Sequence, residues 1–396
     1  MTATTCPTLP VTPRSTRRLL FVSENIGGHA TLHRHLRLGL REYPDVVADF
    51  CEVPVPGLLR RVVGAQVPGL ARLDLDLQMF RAQMALSYQV RRKLLSRAAD
   101  VDLLHVYTHN AALLSADLLR RQPTIVTLDA TTAQSGYLLP YRYPTRFTPY
   151  SVRVSQRWER RVYDAATVLV AKTEWVAASL REEYGVDPER IRIIPFGMEI
   201  PELADAAPAG LSAGLPRVTF IGNSLERKGG WRLLELYRRG LREHCELTLV
   251  TPQGVPAEAG VTVVNDIRGG MGADSRLLRL LRDTAVLAFP SQQDTFGYAA
   301  MEAQAAGVPV VAFRVTGVQE VIENEVTGLL VDPGDYDGLA VALLRLLDDE
   351  ALRHRMGAAA RRRALERFDR RVTTMALLTL VGEVLGTPET AAGSSP

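Results

Sequence analysis

Lysine is scarce in this 396-residue chain. Of its 47 basic residues, 44 are arginine, and the three lysines are Lys93, Lys172 and Lys228. Together with abundant alanine, leucine and glycine, this bias indicates a GC-rich, bacterial genome. Because arginine supplies nearly all of the general positive charge, a lysine that follows a strand becomes a candidate for a specific role.

Cysteine and long apolar segments are also scarce. The three cysteines, at positions 6, 51 and 245, have neither metal-site spacing nor a disulfide pattern, which favours a reducing cytosol. Residues 1–16 are polar, without the apolar centre of a signal peptide. No apolar run reaches the roughly 20 residues that span a bilayer. We therefore expect a cytoplasmic protein, and peripheral contact with the inner face of the membrane stays open.

Charge is unevenly divided along the chain. The net charge is +3, with +7 in residues 1–200 and −4 in residues 201–396. A basic first half suits an anionic partner or an anionic membrane surface, although an arginine-rich solvated surface explains the same imbalance. We expect no nucleic-acid partner.

Strands alternate with helices in both halves of the chain, which predicts parallel sheets with right-handed crossovers. The length and a hydrophobic content of 46% suit two domains, each with its own core. The predicted fold class is α/β, with two Rossmann-like doubly wound domains that face a central cleft. The predicted strands lie in RRLLFVS, DLLHVY, PTIVTL, ATVLVA, RIRII, RVTFIG, LTLVT, VTVVN, AVLAFP and VPVVAF.

The predicted divisions follow from composition. They are a flexible leader at 1–16, an acceptor-binding first domain at 17–200, an Ala/Pro/Gly-rich linker at 201–216, a donor-binding second domain at 217–375, and a C-terminal helix and tail at 376–396. In such sheets, ligands bind outside the carboxyl ends of the strands at the switch point. Candidate site residues are therefore those that follow strands.

The most informative segment is FPSQQDTFGYAAMEAQAAGVPVVAF, at residues 289–313. A strand ends at Pro290, a polar loop follows, and a helix begins near Gly297, where free backbone amides can bind an anion. Asp294 precedes this helix and Glu302 lies within it, so both carboxylates can face one cleft. There they could accept hydrogen bonds from the hydroxyl groups of a sugar. The alternative is that both carboxylates have structural roles. Asp294 would cap the helix, and the negative charge of Glu302 would interact favourably with the helix dipole.

A basic pair follows another predicted strand. The segment GNSLERKG places Arg227 and Lys228 in a loop where charge-assisted hydrogen bonds can hold a diphosphate. An ordinary surface pair is the alternative. The scarcity of lysine and the position of Lys228 at the carboxyl edge of the sheet favour the diphosphate.

Taken together, these motifs resemble the C-terminal signature of retaining glycosyltransferases of family 4, which have the GT-B architecture of two Rossmann-like domains. The RKG triplet, IIPFG at 193–197 and the Gly27–Gly28 turn match in order and spacing, so the resemblance covers residues 17–370. The signature positions in this chain are Asp294, Phe296, Gly297, Glu302, Ala303, residues 306–311, Glu320, residues 327–331 and residues 333–335.

The resemblance implies roles for the residues around the predicted helix. Glu302 would bind the ribose of the nucleotide, and the backbone at Phe296 and Gly297 would meet the sugar and the diphosphate. Asp294 would contact the transferred sugar, although the family usually has glutamate there, which leaves the donor sugar open.

The resemblance also assigns the leaving group. Arg227 and Lys228 would neutralise the departing diphosphate, and Asn223 stands where the family often has an arginine. The helix dipole and these two cations would replace a metal.

The first half offers weaker signals. Gly27 and Gly28 form a turn in which the backbone can approach a phosphate closely. Of the nearby histidines, His33 and His35 have no acidic partner in sequence and fit packing or surface roles, while His29 can reach the cleft.

Two further strand ends carry candidates. Tyr107 stands where the family has a sugar-binding histidine, and His109 follows it, so both are cleft candidates, whereas His105 fits a satisfied buried histidine. Asp129 can accept a hydrogen bond from the acceptor hydroxyl or act as a base, and a loop turn explains it equally well.

Two patterns in residues 57–96 resemble other kinds of site, one for a metal ion and one for a membrane or an acceptor. Asp74 and Asp76 form a D-x-D metal pattern, but they lie in an alternating, solvent-edged segment with no strand end or glycine context. The surrounding basic, amphipathic segment suits an anionic membrane or the acceptor site, and helices that cover the first domain explain it as well.

The sequence therefore predicts a metal-independent, retaining glycosyltransferase without a cofactor. It would move a sugar from a UDP- or GDP-sugar donor to a hydroxyl acceptor, which is a glycolipid, a polysaccharide or a metabolite. The alternatives are a non-catalytic sugar-nucleotide-binding partner subunit and a sugar-nucleotide epimerase of similar architecture.

Overall fold

The computed structural model describes residues 16–24, 29–53, 57–137, 144–202, 214–265 and 275–386. Nearly all of the predicted leader, most of the predicted linker, the end of the C-terminal tail, and Gly27 and Gly28 lie outside these ranges.

The first sheet contains six parallel strands, which are β1 Arg17–Glu24, β2 Val46–Val53, β3 Leu103–Tyr107, β4 Thr124–Leu128, β5 Val168–Ala171 and β6 Ile191–Ile193. Their order across the sheet is β2-β1-β3-β4-β5-β6. The helices of this half are α1 His29–Leu40, α2 Leu58–Val63, α3 Gln78–Leu94, α4 Ala116–Leu119, α5 Thr132–Ser135, α6 Thr148–Ala165 and α7 Glu174–Glu182.

The second sheet is also parallel, with β7 Arg217–Ile221, β8 Glu246–Val250, β9 Val261–Val264, β10 Val286–Phe289, β11 Val310–Phe313 and β12 Gly328–Val331. Its order, β12-β11-β10-β7-β8-β9, is the Rossmann order viewed from the opposite edge. The helices of this half are α8 Gly230–Leu236, α9 Arg276–Arg282, α10 Tyr298–Ala305, α11 Val318–Val321, α12 Tyr336–Asp348, α13 Glu350–Arg367 and α14 Arg370–Val384.

Both sheets are covered on their two faces, as parallel sheets require. In the central strands β3, β4, β5, β10 and β11 every residue is buried, which explains their continuous apolar sequences. The predicted α/β class with two doubly wound units is thus confirmed.

The last helix returns to the first sheet. Leu377 and Val381 of α14 pack in one cluster with Leu19 and Phe21 of β1. The chain therefore crosses between the two halves twice, and the crossings are joined because the Met198 amide donates to the Phe368 carbonyl at 2.8 Å.

A carboxylate from the second half also contacts the first. The Glu320 side chain accepts hydrogen bonds from the backbone amides of Glu174 and Trp175, at 2.7 and 2.9 Å, where α7 begins. These are amides that a helix leaves unpaired at its first turn, so Glu320 caps a helix of the other sheet. Across the described ranges, no helix is both long and apolar enough to cross a membrane.

Candidate active site

Two of the predicted site residues meet at the switch point of the second sheet. Lys228 follows β7 and Asp294 follows β10, and these strands are neighbours although they are not consecutive in the chain. The Lys228 ammonium forms an ion pair with the Asp294 carboxylate, and both side chains are about 85% buried. A crevice outside the carboxyl ends of such strands is where α/β sheets bind ligands.

A glycine allows the two loops to approach. Gly229 has a φ of +77°, and a Cβ atom on it would lie 2.3 Å from the Pro290 carbonyl oxygen. Any other residue would push the loop after β7 away from the loop after β10, so this glycine sets the distance between Lys228 and Asp294.

Asp294 also organises the start of α10. One of its carboxylate oxygens accepts the amide of Gly297 at 2.9 Å, and Gly297 has a φ of +91°. The hydrogen bond to the Gly297 amide, which precedes the first turn of α10, and the ion pair with Lys228 are made by different oxygens of one carboxylate. This arrangement joins the helix N-terminus, a cation and an acid in one place.

Glu302 lies on the same helix and is half-buried. Burial raises its carboxyl pKa to about 7, and it forms no ion pair with a described residue. The pKa of the hydroxyl of Tyr298, one turn earlier, is raised by burial and then by the charges of Glu302 and Asp129. Asp129 belongs to the first domain, so α10 faces the other half of the molecule.

The remaining predicted residues of the second domain surround this pair. The Arg227 guanidinium donates to the Asn223 amide oxygen at 3.2 Å, and Asn223 is exposed. Phe296 is buried, and its ring packs edge-on against Phe196 with centroids 4.7 Å apart. Phe196 comes from the crossing segment after β6, so Phe296 links the site to the first domain.

The first domain contributes its own switch point between β1 and β3. Glu24 ends β1 and is buried, and the Thr108 hydroxyl donates to it at 2.7 Å. Tyr107 is fully enclosed, and burial, then Asp129, Tyr298 and Glu24, raise the pKa of its hydroxyl. Tyr107 and Asp129 are thus brought close to Tyr298 of the second domain.

His109 lies in a separate environment. It is buried, its Nε2 pairs with the Glu159 carboxylate at 2.8 Å, and its Nδ1 contacts the Tyr163 hydroxyl at 3.2 Å. Burial lowers the pKa of the imidazole, but Glu159 more than offsets this, so the pKa is raised. The structure therefore brings His109 to a buried network on α6 and not to the Lys228–Asp294 pair.

The D-x-D pattern has a local role. Asp76 is buried, not solvent-edged as expected, and accepts the Val67 amide at 3.2 Å while lying 3.6 Å from the Arg81 guanidinium. Over the described ranges, no group of three or more histidine, cysteine or acidic side chains could hold a metal ion.

Three further residues of this region have no role predicted from the sequence: Glu24, Lys172 and Tyr298. Lys172 is buried directly after β5, so scarcity and position, the two signals that singled out Lys228, apply to it equally. Glu24 also ends a strand. Tyr298 carries no sequence signal, because its position depends on how the two halves meet.

Comparison with known families separates the two halves. Residues 26–200 match the family described as Glycosyltransferase Family 4, and residues 267–363 match Glycosyl transferases group 1. The first range contains β2 to β6 of the first sheet, and the second contains β10 to β12 of the second sheet.

Several relatives of known name share the same one. The D-inositol 3-phosphate glycosyltransferase of Corynebacterium efficiens is 31% identical over 51% of this chain and 53% of its own length. The enzyme of the same name from Nocardia farcinica is 28% identical over 77% of this chain and 71% of its own. The chain therefore matches about half the length of several of these relatives.

Solved structures share the architecture over nearly the whole chain. Sucrose-phosphate synthase from Thermosynechococcus elongatus superposes with a TM-score of 0.70 at 20% identity, covering 94% of this chain and all of the other. Anabaena HepE in complex with UDP-glucose gives 0.64 at 18% identity, covering 92% and 99%. With one family match in each half and the GT-B architecture throughout, this chain belongs to the family 4, group 1 glycosyltransferases.

Proposed function

We propose that this protein transfers a sugar from a UDP- or GDP-sugar to a hydroxyl acceptor, with retention of configuration and without a metal. The observation that carries the proposal is the Lys228–Asp294 pair at the start of α10, on the switch point of the second sheet. It joins a cation and a helix N-terminus, both of which stabilise a diphosphate.

The donor fits the second domain. Lys228 and Arg227 lie in the loop after β7 and would hold the diphosphate, while Glu302 on α10 would accept the ribose hydroxyls. A structural relative, Anabaena HepE, is described in complex with UDP and glucose, which favours a uridine nucleotide among the two classes. Asp294 would orient the sugar once Lys228 turns towards the diphosphate.

The proposed step breaks the bond between the anomeric carbon and the diphosphate oxygen and forms a bond to the acceptor oxygen on the same face. The acceptor proton passes to the departing diphosphate, so no carboxylate needs to act as a nucleophile. Lys228, Arg227 and the amides at the start of α10 would stabilise the charge that develops on the leaving group. Asp129 would line the acceptor side of the cleft, whereas Tyr107 is fully enclosed and would act only behind it.

The acceptor class follows from the first domain and from the relatives. Several relatives are named as D-inositol 3-phosphate glycosyltransferases, which favours a small phosphorylated polyol over a polysaccharide. Asp129, whose charge acts on Tyr298 of the second domain, would accept a hydrogen bond from the acceptor hydroxyl.

A panel of nucleotide sugars tests this proposal. Each compound is added to the protein in the presence of EDTA, and the midpoint of thermal unfolding and the release of free nucleotide are measured. A true donor at a hundred times its Kd should add about 2.7 kcal/mol to the free energy of unfolding. Stabilisation with turnover supports the transferase, stabilisation without turnover supports the non-catalytic partner subunit, and no stabilisation by any donor contradicts both.

We also propose that the first domain contacts an anionic membrane surface through α2. None of its residues is buried, and Leu58 and Val62 are 78% and 66% exposed beside Arg60 and Arg61. Exposed apolar side chains flanked by cations suit a bilayer that carries negative charge. Sedimentation with phosphatidylglycerol vesicles tests this: binding should weaken when Leu58 and Val62 are replaced by serine, and equal binding to neutral vesicles would contradict it.

A further inference from the structure

A second group of basic side chains lines a pocket of about 500 Å³, a volume that includes the open solvent at its mouth. It is enclosed by the first sheet, by α1 and by α14, and it touches both crossings between the domains, at Gly197 and at Arg370. We refer to it as the α1–α14 pocket. Its basic lining residues are His33, His35, His105, Lys172 and Arg370.

None of the described residues that line the α1–α14 pocket is acidic. Arg370 is paired with Glu42, which does not line it. Lys172 is buried, and the nearest acceptor for its ammonium is the Pro195 carbonyl oxygen at 3.4 Å, with the Phe196 ring 5.2 Å away. Within the described part of the chain, the ammonium therefore has only a weak neutral hydrogen-bond acceptor, and the carboxylate that acts on its charge, Asp129, does not line the pocket.

Among the described residues, only one of the two ring nitrogens of His105 has a hydrogen-bond partner, whereas the sequence predicts a satisfied buried histidine. It is 96% buried, and its Nε2 lies 2.9 Å from the Thr127 hydroxyl. Its Nδ1 forms no hydrogen bond with any residue that the structure describes. A buried ring nitrogen left this way costs free energy unless a ligand pairs with it.

Burial in the pocket disfavours the charged forms of these basic groups. It lowers the pKa of Lys172 to about 7 although the charge of Asp129 raises it, and burial followed by the charges of His33 and Lys172 lowers the pKa of His105 to about 3. Burial, followed by Arg34 and Arg370, lowers the pKa of His35 to about 4. An anion in the pocket would reverse these effects, since an opposite charge favours the charged form.

We propose that the α1–α14 pocket is a binding site for a small oxyanion of the phosphate class. The Lys172 ammonium, the Nδ1–H of a neutral His105 and the hydroxyl group of Thr374 supply hydrogen-bond donors. The site is separate from the Lys228–Asp294 pair, because it lies in the first domain and on α14. The oxyanion is either free phosphate or the phosphate group of a larger molecule.

The scarcity of lysine makes the site directly observable. Protein labelled with ¹³C at lysine Cε gives three side-chain signals, assigned with Lys93→Met, Lys172→Met and Lys228→Met. Inorganic phosphate, added at constant ionic strength, should shift the Lys172 signal saturably and leave Lys93 unmoved. UDP should shift Lys228 and not Lys172, so that failure of this site and failure of the proposed donor site are distinguished.

Two further arms define the ligand and the pocket. Glycerol 3-phosphate that competes with phosphate for Lys172 identifies a phosphate ester as the ligand, and failure to compete identifies the free ion. His105→Phe keeps the aromatic contact with Phe21 but removes the ring nitrogen. It should therefore weaken the binding of phosphate by about tenfold or more. The phosphate titration itself is made on the wild-type protein, so it does not depend on whether a variant folds. If the Lys172 signal moves no more than the Lys93 signal, the proposal is overturned.

Discussion

At the scale of single residues, the site depends on one carboxylate that has two tasks. Asp294 holds the start of α10 through the Gly297 amide and also neutralises Lys228. In the proposed enzyme the diphosphate would compete with Asp294 for the same ammonium, so the resting ion pair keeps a buried cation satisfied until the donor binds. An aspartate in place of the glutamate usual in the family keeps this carboxylate close to the backbone that it caps.

Replacing Lys228 by methionine should weaken the binding of UDP or GDP by about tenfold to a hundredfold, because one charge-assisted hydrogen bond is lost and Asp294 is left facing the diphosphate. Calorimetric titration measures the Kd. Lys93→Met is the matched control, since Lys93 is a lysine of α3 that donates to the Glu52 carbonyl. Wild-type affinity in Lys228→Met would remove Lys228 from the site.

Glu302 should make the stability of the protein depend on pH. Its folded-state pKa is raised from 4.5 to about 7, so the folded state holds this proton more tightly than the unfolded state. The free energy of unfolding should therefore fall as pH rises from about 4.5 to about 7, by on the order of 3 kcal/mol from this group. Urea unfolding over this range measures it.

Glu302→Gln should remove that part of the pH dependence, because the amide does not titrate. Glu350→Gln is the control, since Glu350 is an exposed carboxylate in the first turn of α13. Wild-type and Glu302→Gln curves that run parallel between these pH values would show that the carboxylate titrates normally.

At the scale of elements, the loops after β7 and β10 form the donor side of the cleft, and their contact is backbone against backbone. Gly229→Ala should separate them, because the added Cβ would overlap the Pro290 carbonyl, whereas Gly334→Ala meets no atom within 4 Å. Both glycines have positive φ, at +77° and +84°, so alanine is conformationally strained at either position. The difference between the two variants therefore measures the overlap with Pro290 alone.

We expect Gly334→Ala to lose about 1 kcal/mol of stability and Gly229→Ala to lose about 1–3 kcal/mol more, together with donor affinity. Urea unfolding and nucleotide titration of the two variants measure this. An equal loss in both variants would mean that the distance between the two loops does not matter.

Sequence patterns predict the central elements better than the edges. Buried strands such as β3, β5 and β10 are continuous apolar runs that end at a polar loop, so their existence and their carboxyl ends can be read directly. The two unpredicted strands, β2 and β12, lie at sheet edges. β2 carries Asp49 and Glu52, and β12 has only four residues and begins with glycine.

The candidate site divides in the same way. Lys228 and Asp294 could be found because each follows a strand of a motif-rich segment. The electrostatic effect of Asp129 on Tyr298, and the return of α14 to the first sheet, depend on packing between parts of the chain that are distant in sequence. His109 looked equivalent to Tyr107, and only the position of α6, which brings Glu159 to it, separates their environments.

At the scale of the whole molecule, two doubly wound units are linked by two crossings, by α14 and by the Glu320 contact with α7. In the proposed enzyme, the cleft between them would contain Lys228, Asp294 and Glu302 from one unit and Asp129 from the other. The central claim is that a nucleotide sugar reacts in this cleft without a metal and with retention of configuration.

The most direct measurement follows the released sugar by ¹H NMR, with an α-linked donor from the nucleotide-sugar panel, EDTA present and water as a surrogate acceptor. Retention predicts that the α-anomer accumulates first and mutarotates later, and that Lys228→Met slows the release by about a hundredfold or more. Early accumulation of the β-anomer, or turnover that stops when EDTA is added, would contradict the account.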